Sequence, residues 1–327
     1  MTCRRFWFLV CGIVLAWSGT VRAGGSAFSA DGKAVYVPKS EPSGALDRID
    51  VASGAVTPVT VKLGRDDVIE GVALAETGEL YLATRNALWR WTPGEAGAKW
   101  VEAAPKGVTF ENVACNVKTG EVLLLGNGSR LFYKRSRSAA AVEVGIRYPP
   151  GNDLNSPTYL PDGSFLFSTD GDVWHGRIEY EAEDPHAKKP YVRASLVAYR
   201  YAPLAKRETY DGTPTQTGVE CLAVSRTKVY VSLQRMGGSG WGSILRLDLP
   251  EQNAKGGLSY QNGIDAMAKT LGSVTEQGLT SGGDIRLCGS PDGRLVSYWN
   301  GRHELLADDE KLAPAKSQKL FYNDGIK

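Results

Sequence analysis

Acidic and amide residues recur at one position of a repeated strand–turn–strand pattern in this 327-residue chain. Each stands directly before a short apolar run: Glu70, Glu111 or Asn112, Asn155, Glu220 and Asp284. Carboxylates that meet in space repel one another unless a cation neutralises them or some of them hold a proton. Their hard oxygen ligands suit calcium or magnesium far better than a metal that prefers sulfur. These residues therefore predict a divalent-cation site, with calcium as the first candidate and magnesium, manganese or zinc as further ones. The alternative is a channel that holds only water and polar side chains, without a metal.

Other common site chemistries are not indicated by the sequence. The three histidines lack the paired spacing of a zinc hydrolase: His175, His186 and His303. No nucleophile elbow, phosphate-binding loop or dinucleotide fingerprint occurs. Three cysteines lie within apolar runs and are interpreted as small buried residues: Cys115, Cys221 and Cys288. Their odd number allows at most one disulfide among them, and their redox state stays open.

The elements that would position the acidic residues are short hairpins. Six stretches have the pattern of two strands joined by a tight turn: 25–38, 70–83, 111–125, 155–168, 220–233 and 284–299. Four turn glycines, Gly32, Gly78, Gly120 and Gly163, are separated by 46, 42 and 43 residues. This period is typical of four-stranded propeller blades. A third strand follows each hairpin at 44–51, 86–93, 129–136, 194–201, 242–249 and, as a poorer copy, 300–307.

The sequence therefore predicts an all-β fold, a six-bladed β-propeller of four-stranded antiparallel blades. Seven blades are the alternative, because the 130 residues from Gly163 to Gly293 could hold three average blades. Only one inner hairpin, at Glu220, is visible in that interval, which favours six. The surplus is assigned to insertions at 175–193, between second and third strands, and at 251–270. Outer strands are predicted at 57–63, 99–105, 142–148, 207–212 and 319–323.

The geometry of a propeller would bring the acidic residues together. In an antiparallel blade the start of strand one, the end of strand two and the start of strand three share one face. Because the innermost strands surround the central channel, these positions converge on one mouth. Substrate contacts are predicted there from Glu111, Asn112, Asp170, Asp172, Trp174 and Trp241. Trp241 lies in a glycine-rich loop, 234–243, that could cover the mouth, although both tryptophans could instead pack between blades.

The N-terminus has the pattern of a secretory signal peptide. Arg4 and Arg5 precede an apolar run at 6–17, and Val21-Arg22-Ala23 is a small-residue cleavage site. We expect a signal at 1–23, a propeller domain at 24–327, and a secreted or periplasmic monomer without a membrane span. An uncleaved N-terminal anchor is the alternative. Cleavage leaves 35 basic against 36 acidic residues, so no nucleic-acid partner is expected.

Two of the repeats resemble a known family. The Asn155 hairpin with its Pro161-Asp162-Gly163 turn, and the stretch 284–302, are similar to the six-bladed gluconolactonase-like, senescence-marker-protein propellers. In that family a glutamate, two asparagines and an aspartate bind one divalent cation. The resemblance implies these roles for Glu70, Asn155 and Asp284, with Glu220 nearest the second asparagine. A complete blade precedes Glu70, which departs from the family, and the YVP of the first blade also resembles YVTN-type surface propellers.

The resemblance implies hydrolysis of a small lactone or ester. The cation would polarise the substrate carbonyl, and Asp284 would take a proton from the attacking water. The competing hypothesis is a non-catalytic propeller that binds a surface glycan, peptide or protein through its mouth or the 175–193 segment. Propellers perform many unrelated functions, so the fold alone does not decide between the two.

Overall fold

The computed structural model describes residues 25–39, 42–64, 67–127, 130–146, 154–169, 172–181, 193–203, 217–224, 228–235, 242–249, 275–279, 286–290, 293–299 and 302–306. Regular structure within these ranges consists of β-strands. No helix in this part of the chain is long and apolar enough to cross a membrane. Predicted features at 1–24 and 307–327, including the signal peptide and the strand at 319–323, lie outside the described residues.

Strands consecutive in the chain pair antiparallel into groups of four. The first group is Ala27–Phe28 (β1), Ala34–Pro38 (β2), Ala45–Asp50 (β3) and Val56–Thr60 (β4). The second is Ile69–Leu74 (β5), Leu80–Thr84 (β6), Ala87–Trp91 (β7) and Lys99–Ala103 (β8). The third is Phe110–Cys115 (β9), Val122–Gly126 (β10), Arg130–Lys134 (β11) and Val142–Ile146 (β12).

The second half of the chain repeats the arrangement. The fourth group is Asn155–Tyr159 (β13), Phe165–Thr169 (β14), Asp172–Glu181 (β15) and Arg193–Pro203 (β16). The fifth is Thr217–Val224 (β17), Lys228–Arg235 (β18), Gly242–Asp248 (β19) and Thr275–Leu279 (β20). The sixth has three strands in the described ranges, Arg286–Gly289 (β21), Leu295–Trp299 (β22) and Arg302–Leu306 (β23).

The first strand of each group lines a common axis. These inner strands contact one another in the order β1, β5, β9, β13, β17 and β21, and β21 contacts β1 again. A ring of radially arranged antiparallel sheets is a β-propeller, so the predicted fold class is confirmed. The count of six blades for the whole chain stays a prediction.

Apolar side chains between neighbouring blades hold the ring together. The second strands β2, β6, β10 and β14 are buried at every position, because blades cover both of their faces. Each hydrophobic cluster draws on two adjacent blades; one joins Leu82 to Tyr36, and another joins Leu124 to Ala73. Phe28 and Ile49 pack against Val296 and thereby close the ring between the first and last groups. Burying each such aliphatic or aromatic side chain contributes about 1.5–3 kcal/mol.

The glycine period has a conformational cause. Gly32, Gly78, Gly120, Gly163 and Gly293 have φ values of 66°, 81°, 73°, 91° and 96° in the turns between first and second strands. A side chain is strained at such φ values, whereas glycine is not. The turn glycines are therefore reliable markers of the inner hairpins.

The fourth blade differs from the sequence prediction. Its third strand is β15, and the stretch predicted as third strand, 194–201, belongs to the outer strand β16. The assignment of 175–193 as an insertion between second and third strands is therefore wrong, because residues 175–181 belong to β15. The outer strand predicted at 207–212 lies outside the described residues. Arg177 and Glu179 form an ion pair on the more exposed face of β15. Their alternation has the period of a strand, although the same charges are also typical of a solvated loop.

Because β15 is the third strand of the fourth blade, this blade extends on the face opposite the mouth. β15 begins at Asp172, beside Thr169 at the end of β14, and runs away from the mouth. β15 therefore ends, at Glu181, on the opposite face; residues 182–192 lie outside the described part of the chain. β16 also pairs in parallel with β12, through Ala194 and Val144, which joins the third and fourth blades into one eight-stranded sheet.

Candidate functional site

A β-bulge recurs in four of the inner strands, in the half of each strand nearer the mouth. The pairing of β5 with β6 passes from Ile69–Thr84 to Gly71–Ala83, so Glu70 is the extra residue. Glu111 and Glu220 are the extra residues of the same kind of bulge in β9 and β17. In β13 the irregularity follows Asn155 directly. Bulges redirect side chains and are frequent next to active sites.

These bulges lie in four consecutive inner strands and therefore on one face of the ring. Asn155 begins β13, and Glu70 and Glu111 follow the first residues of β5 and β9, whereas Glu220 lies three residues inside β17 (Thr217–Val224). The side chain of Glu220 and the whole of Asp284 lie outside the described residues. Asp170 and Trp241, two of the predicted substrate contacts, also lie outside them.

Glu70 already has a cationic partner. The Nε of Arg85 donates a hydrogen bond to Oε1 of Glu70 over 2.7 Å. This hydrogen bond raises the pKa of Arg85, and the side chain of Arg85 remains 60% exposed. Arg85 stands between β6 and β7, the second and third strands of its blade, and therefore on the mouth face. Arg85 is not among the site residues predicted from the sequence, although its position in the connection between second and third strands was a signal that could have indicated it.

Asn112 is a structural residue of the channel entrance. Its buried Oδ1 accepts hydrogen bonds from the backbone N–H of Gly25 at 3.0 Å and of Val113 at 2.7 Å. The carbonyl of Gly25 accepts a further bond from Val72 at 2.8 Å. Gly25, at the start of the first blade, is therefore tied to the third blade through Asn112 and to the second blade through Val72.

The close packing around Asn112 leads to a stability prediction. A Cβ placed on Gly71 would lie 3.0 Å from Cα of Asn112 and 3.1 Å from both its Oδ1 and the nitrogen of Val113. Because two of these atoms belong to the backbone, we expect Gly71→Ala to lower the free energy of unfolding by about 1–3 kcal/mol. Urea unfolding measures the change. Gly145→Ala is the control, since its Cβ would lie at an ordinary 3.6 Å from the carbonyl of Ala194; equal losses would contradict the argument.

Asp172 and Trp174, two of the predicted substrate contacts, both belong to β15 but lie in different surroundings. Asp172 is half-buried at the start of β15, on the mouth face. Trp174 is only 7% exposed and packs in the cluster between the third and fourth blades, with Leu123 and Leu125. Trp174 therefore packs between blades, which is the role that the sequence allowed as an alternative to substrate binding.

The described donors do not form a cation site by themselves. Among the described residues, no three His, Cys, Asp or Glu side chains are close enough to hold a metal ion. Glu70 is paired with Arg85, and Asn112 is engaged by the backbone. A cation site at the mouth would therefore depend on the side chain of Glu220 and on Asp284, which lie outside the described residues, in addition to Asn155.

A cavity of about 450 Å³ occupies the channel behind the mouth. The three cysteines of the predicted mature chain line it: Cys115, Cys221 and Cys288. All three are free thiols, and burial raises the pKa of Cys115 to about 12 and also raises that of Cys288. Such thiols stay protonated at neutral pH and are poor nucleophiles or metal ligands. The interpretation of Cys221 and Cys288 as buried small residues is confirmed.

No family model and no curated protein matches the sequence. Several solved structures do match the fold. A calcium-binding protein, regucalcin from Agrobacterium tumefaciens, has a TM-score of 0.51 and 12% identity over 85% of this chain and 81% of its own. A protein described as a gluconolactonase has a TM-score of 0.52 and 14% identity over 86% of both chains.

The fold is also similar to that of a protein with a different name from the two above. U3-55K has a TM-score of 0.50 and 10% identity over 87% of this chain and 76% of its own. At such identities the likenesses define the class, a β-propeller, and carry no function by themselves. The resemblance to gluconolactonase-like propellers seen in the sequence is thereby supported at the level of the fold.

Proposed function

We propose that the mouth of the channel is the functional site and that the protein hydrolyses a small lactone or ester there. A divalent cation would assist the reaction, and calcium is the first candidate for it. The recurring bulge supports this proposal, because Glu70, Glu111, Asn155 and Glu220 stand at or beside a bulge in four consecutive inner strands. The shared fold with a calcium-binding regucalcin and a gluconolactonase agrees with it.

The residues of the mouth would have three roles in the reaction: cation binding, stabilisation of negative charge and proton acceptance. Glu70, which also pairs with Arg85, would hold the cation together with Asn155, Glu220 and Asp284, and the bound cation would polarise the substrate carbonyl. The guanidinium of Arg85 is exposed at the same face and offers N–H donors to an oxygen that gains negative charge during hydrolysis. Asp284 would accept the proton of the attacking water, as the general base.

Metal content and lactone hydrolysis test the proposal together. The protein, purified without chelators, should contain about one divalent cation per chain by mass spectrometry and should release acid from δ-valerolactone. Absence of both, with calcium, magnesium, manganese and zinc each added, would overturn it. Calcium binding without acid release would instead favour the non-catalytic propeller with a glycan, peptide or protein partner.

Export is the second part of the proposal. We infer that the chain is cleaved after Ala23 and acts outside the cytoplasm. The backbone of Gly25 already makes two hydrogen bonds to the ring, with Asn112 and Val72, so a chain starting at Gly24 retains them. N-terminal sequencing of protein from the periplasm or medium tests the cleavage, and an intact Met1 on exported protein would contradict it.

The ion pair at the mouth yields a separate prediction. Arg85→Met should free the carboxylate of Glu70 and increase the calcium affinity of the protein by about two- to fivefold, the range expected for an exposed ion pair. Calorimetric titration with calcium chloride measures the affinity. Arg130→Met is the matched control, because Arg130 pairs with Glu143 in the third blade, away from the inner strands; an equal gain there would contradict a local effect.

A further inference from the structure

The guanidinium of Arg85 has hydrogen-bond donors to spare at the mouth. Its Nε is bound to Oε1 of Glu70, whereas neither of its Nη groups has a hydrogen-bond partner among the described residues. The side chain of Arg85 is 60% exposed, so solvent and ligands can reach these groups. A guanidinium holds its N–H donors in a rigid fork that matches the two oxygens of a carboxylate. Arg85 can therefore bind an anion without releasing Glu70.

Basic residues at the same connection of the first and third blades are paired differently. Lys39, which follows β2, has its Nζ 3.2 Å from Oδ1 of Asp47 in β3. Arg130, at the start of β11, donates to both carboxylate oxygens of Glu143 in β12, each over 2.7 Å. These two partners belong to the third and outer strands, whereas the partner of Arg85 belongs to the inner strand β5. Of these three cations, Arg85 is therefore the one that turns towards the channel axis.

The backbone that carries Arg85 is held from two sides. The carbonyl of Arg85 accepts the N–H of Phe110, in the third blade, over 3.2 Å. The N–H of Asn86 donates over 3.2 Å to Oδ2 of Asp67, which is only 5% exposed, and its carbonyl accepts the N–H of Ala104 at 2.8 Å. A group on a fixed backbone loses less conformational freedom when it binds a ligand. The guanidinium is thus well placed to bind one particular group of a substrate.

The charges around Arg85 favour an anionic group over a neutral one. Glu70 is the one carboxylate that hydrogen-bonds Arg85 among the described residues, since the oxygens of Asp67 accept the backbone N–H groups of Val68 and Asn86. If Glu70 also holds the cation proposed for the mouth, its charge is shared between two positive partners. Hydrogen bonds between charged groups are roughly twice as strong as neutral ones, so a carboxylate gains more at Arg85 than a hydroxyl does.

We propose that Arg85 determines substrate specificity by binding a carboxylate of the substrate through its Nη groups, so that the preferred substrate is an anionic lactone or ester. This inference rests on the hydrolysis proposed for the mouth and adds the class of substrate. The bound carboxylate is not the group that reacts. It therefore contributes to KM, whereas stabilisation of the reacting oxygen by Arg85 would contribute to kcat.

Binding of an unreactive anion tests the site without any turnover. Calorimetric titration at saturating calcium chloride should show that cyclopentanecarboxylate binds about tenfold more tightly than cyclopentanecarboxamide, which has the same shape and no charge. Arg85→Met should remove this preference by weakening the carboxylate alone. Arg85→Lys, the second variant, keeps the charge without the fork and should retain only part of the preference. Arg130→Met is the matched control and should leave the preference unchanged, because Arg130 is directed to β12.

Two lactones with the same ring extend the test to the reaction. For the wild-type protein, γ-butyrolactone-γ-carboxylate should have a KM about tenfold lower than γ-butyrolactone-γ-carboxamide. Arg85→Met should bring the two KM values to within about threefold of each other. If Arg85 acts on the reacting oxygen alone, Arg85→Met would instead lower kcat equally for both lactones and leave the ratio of their KM values unchanged, which would contradict the inference.

Failure of this inference can be told apart from failure of the proposed hydrolysis. Binding of cyclopentanecarboxylate that depends on Arg85, without hydrolysis of either lactone, would support the anion site and contradict the hydrolase. Hydrolysis of both lactones with equal KM values would overturn the inference and retain the hydrolase. The inference is also overturned if cyclopentanecarboxylate does not bind saturably, if it binds no better than the carboxamide, or if Arg85→Met and Arg130→Met weaken it alike.

Discussion

Replacing Asp284 with asparagine is expected to reduce lactone hydrolysis by at least about a hundredfold, the lower range for losing a general base. Asparagine keeps the size of the side chain and an oxygen ligand but cannot accept the proton of water. If Asp284 is the base, kcat should therefore fall far more than the affinity for calcium. Initial rates of acid release from δ-valerolactone, with a parallel calcium titration, separate the two effects.

The control for Asp284→Asn is the same substitution at Asp162. The carboxylate of Asp162 accepts hydrogen bonds from the N–H of Ser164 at 3.0 Å and its Oγ at 2.6 Å, in an exposed turn opposite the mouth. Asp162→Asn should leave hydrolysis unchanged. An Asp284→Asn variant within about threefold of the wild-type rate would show that Asp284 is not the group that accepts the proton.

The ring itself could be predicted because its determinants are local. A glycine at positive φ ends each inner hairpin turn in five of the blades, and the second strands are apolar at nearly every position because both faces are buried. Either feature can be recognised within a few residues. The order of blades then follows from the order of repeats along the chain.

The fourth blade could not be predicted in detail because its determinants are distant. The pairing of β16 with β12 joins residues some 50 positions apart, and the charges of Arg177 and Glu179 conceal a strand. No local pattern distinguishes a charged strand that extends beyond its blade from a solvated loop. The correction removes the 175–193 segment as an insertion on the mouth face, and with it one reason for expecting a partner to bind there.

The site was predicted at the level of backbone position rather than side-chain role. The bulges align Glu70, Glu111, Asn155 and Glu220 as expected, but a spacing cannot reveal which side chains are already engaged. Asn112 differs from Glu111 by one position and is turned into the protein to bind the backbone. Arg85 neutralises Glu70 from a strand connection that the repeat does not mark.

A link between the second and third blades should have the largest effect on stability. The ammonium of Lys134, whose side chain is 4% exposed, lies 3.7 Å from Oε1 of Glu102 and also donates to the carbonyl of Ala139. Oε2 of Glu102 accepts the N–H of Ala141 at 3.1 Å. Lys134→Met retains the apolar stem and leaves the carboxylate of Glu102 without its counter-charge. We expect the free energy of unfolding to fall by about 3 kcal/mol.

Urea unfolding of a double-mutant cycle measures this effect and identifies its cause. If the loss arises from the unpaired carboxylate, Glu102→Gln added to Lys134→Met should restore part of the stability, because a neutral amide costs less to bury. Glu143→Gln is the control for an exposed pair, since Glu143 is 50% exposed beside Arg130, and should cost less than about 1 kcal/mol. Equal losses for Lys134→Met and Glu143→Gln would show that burial does not strengthen the link between the blades.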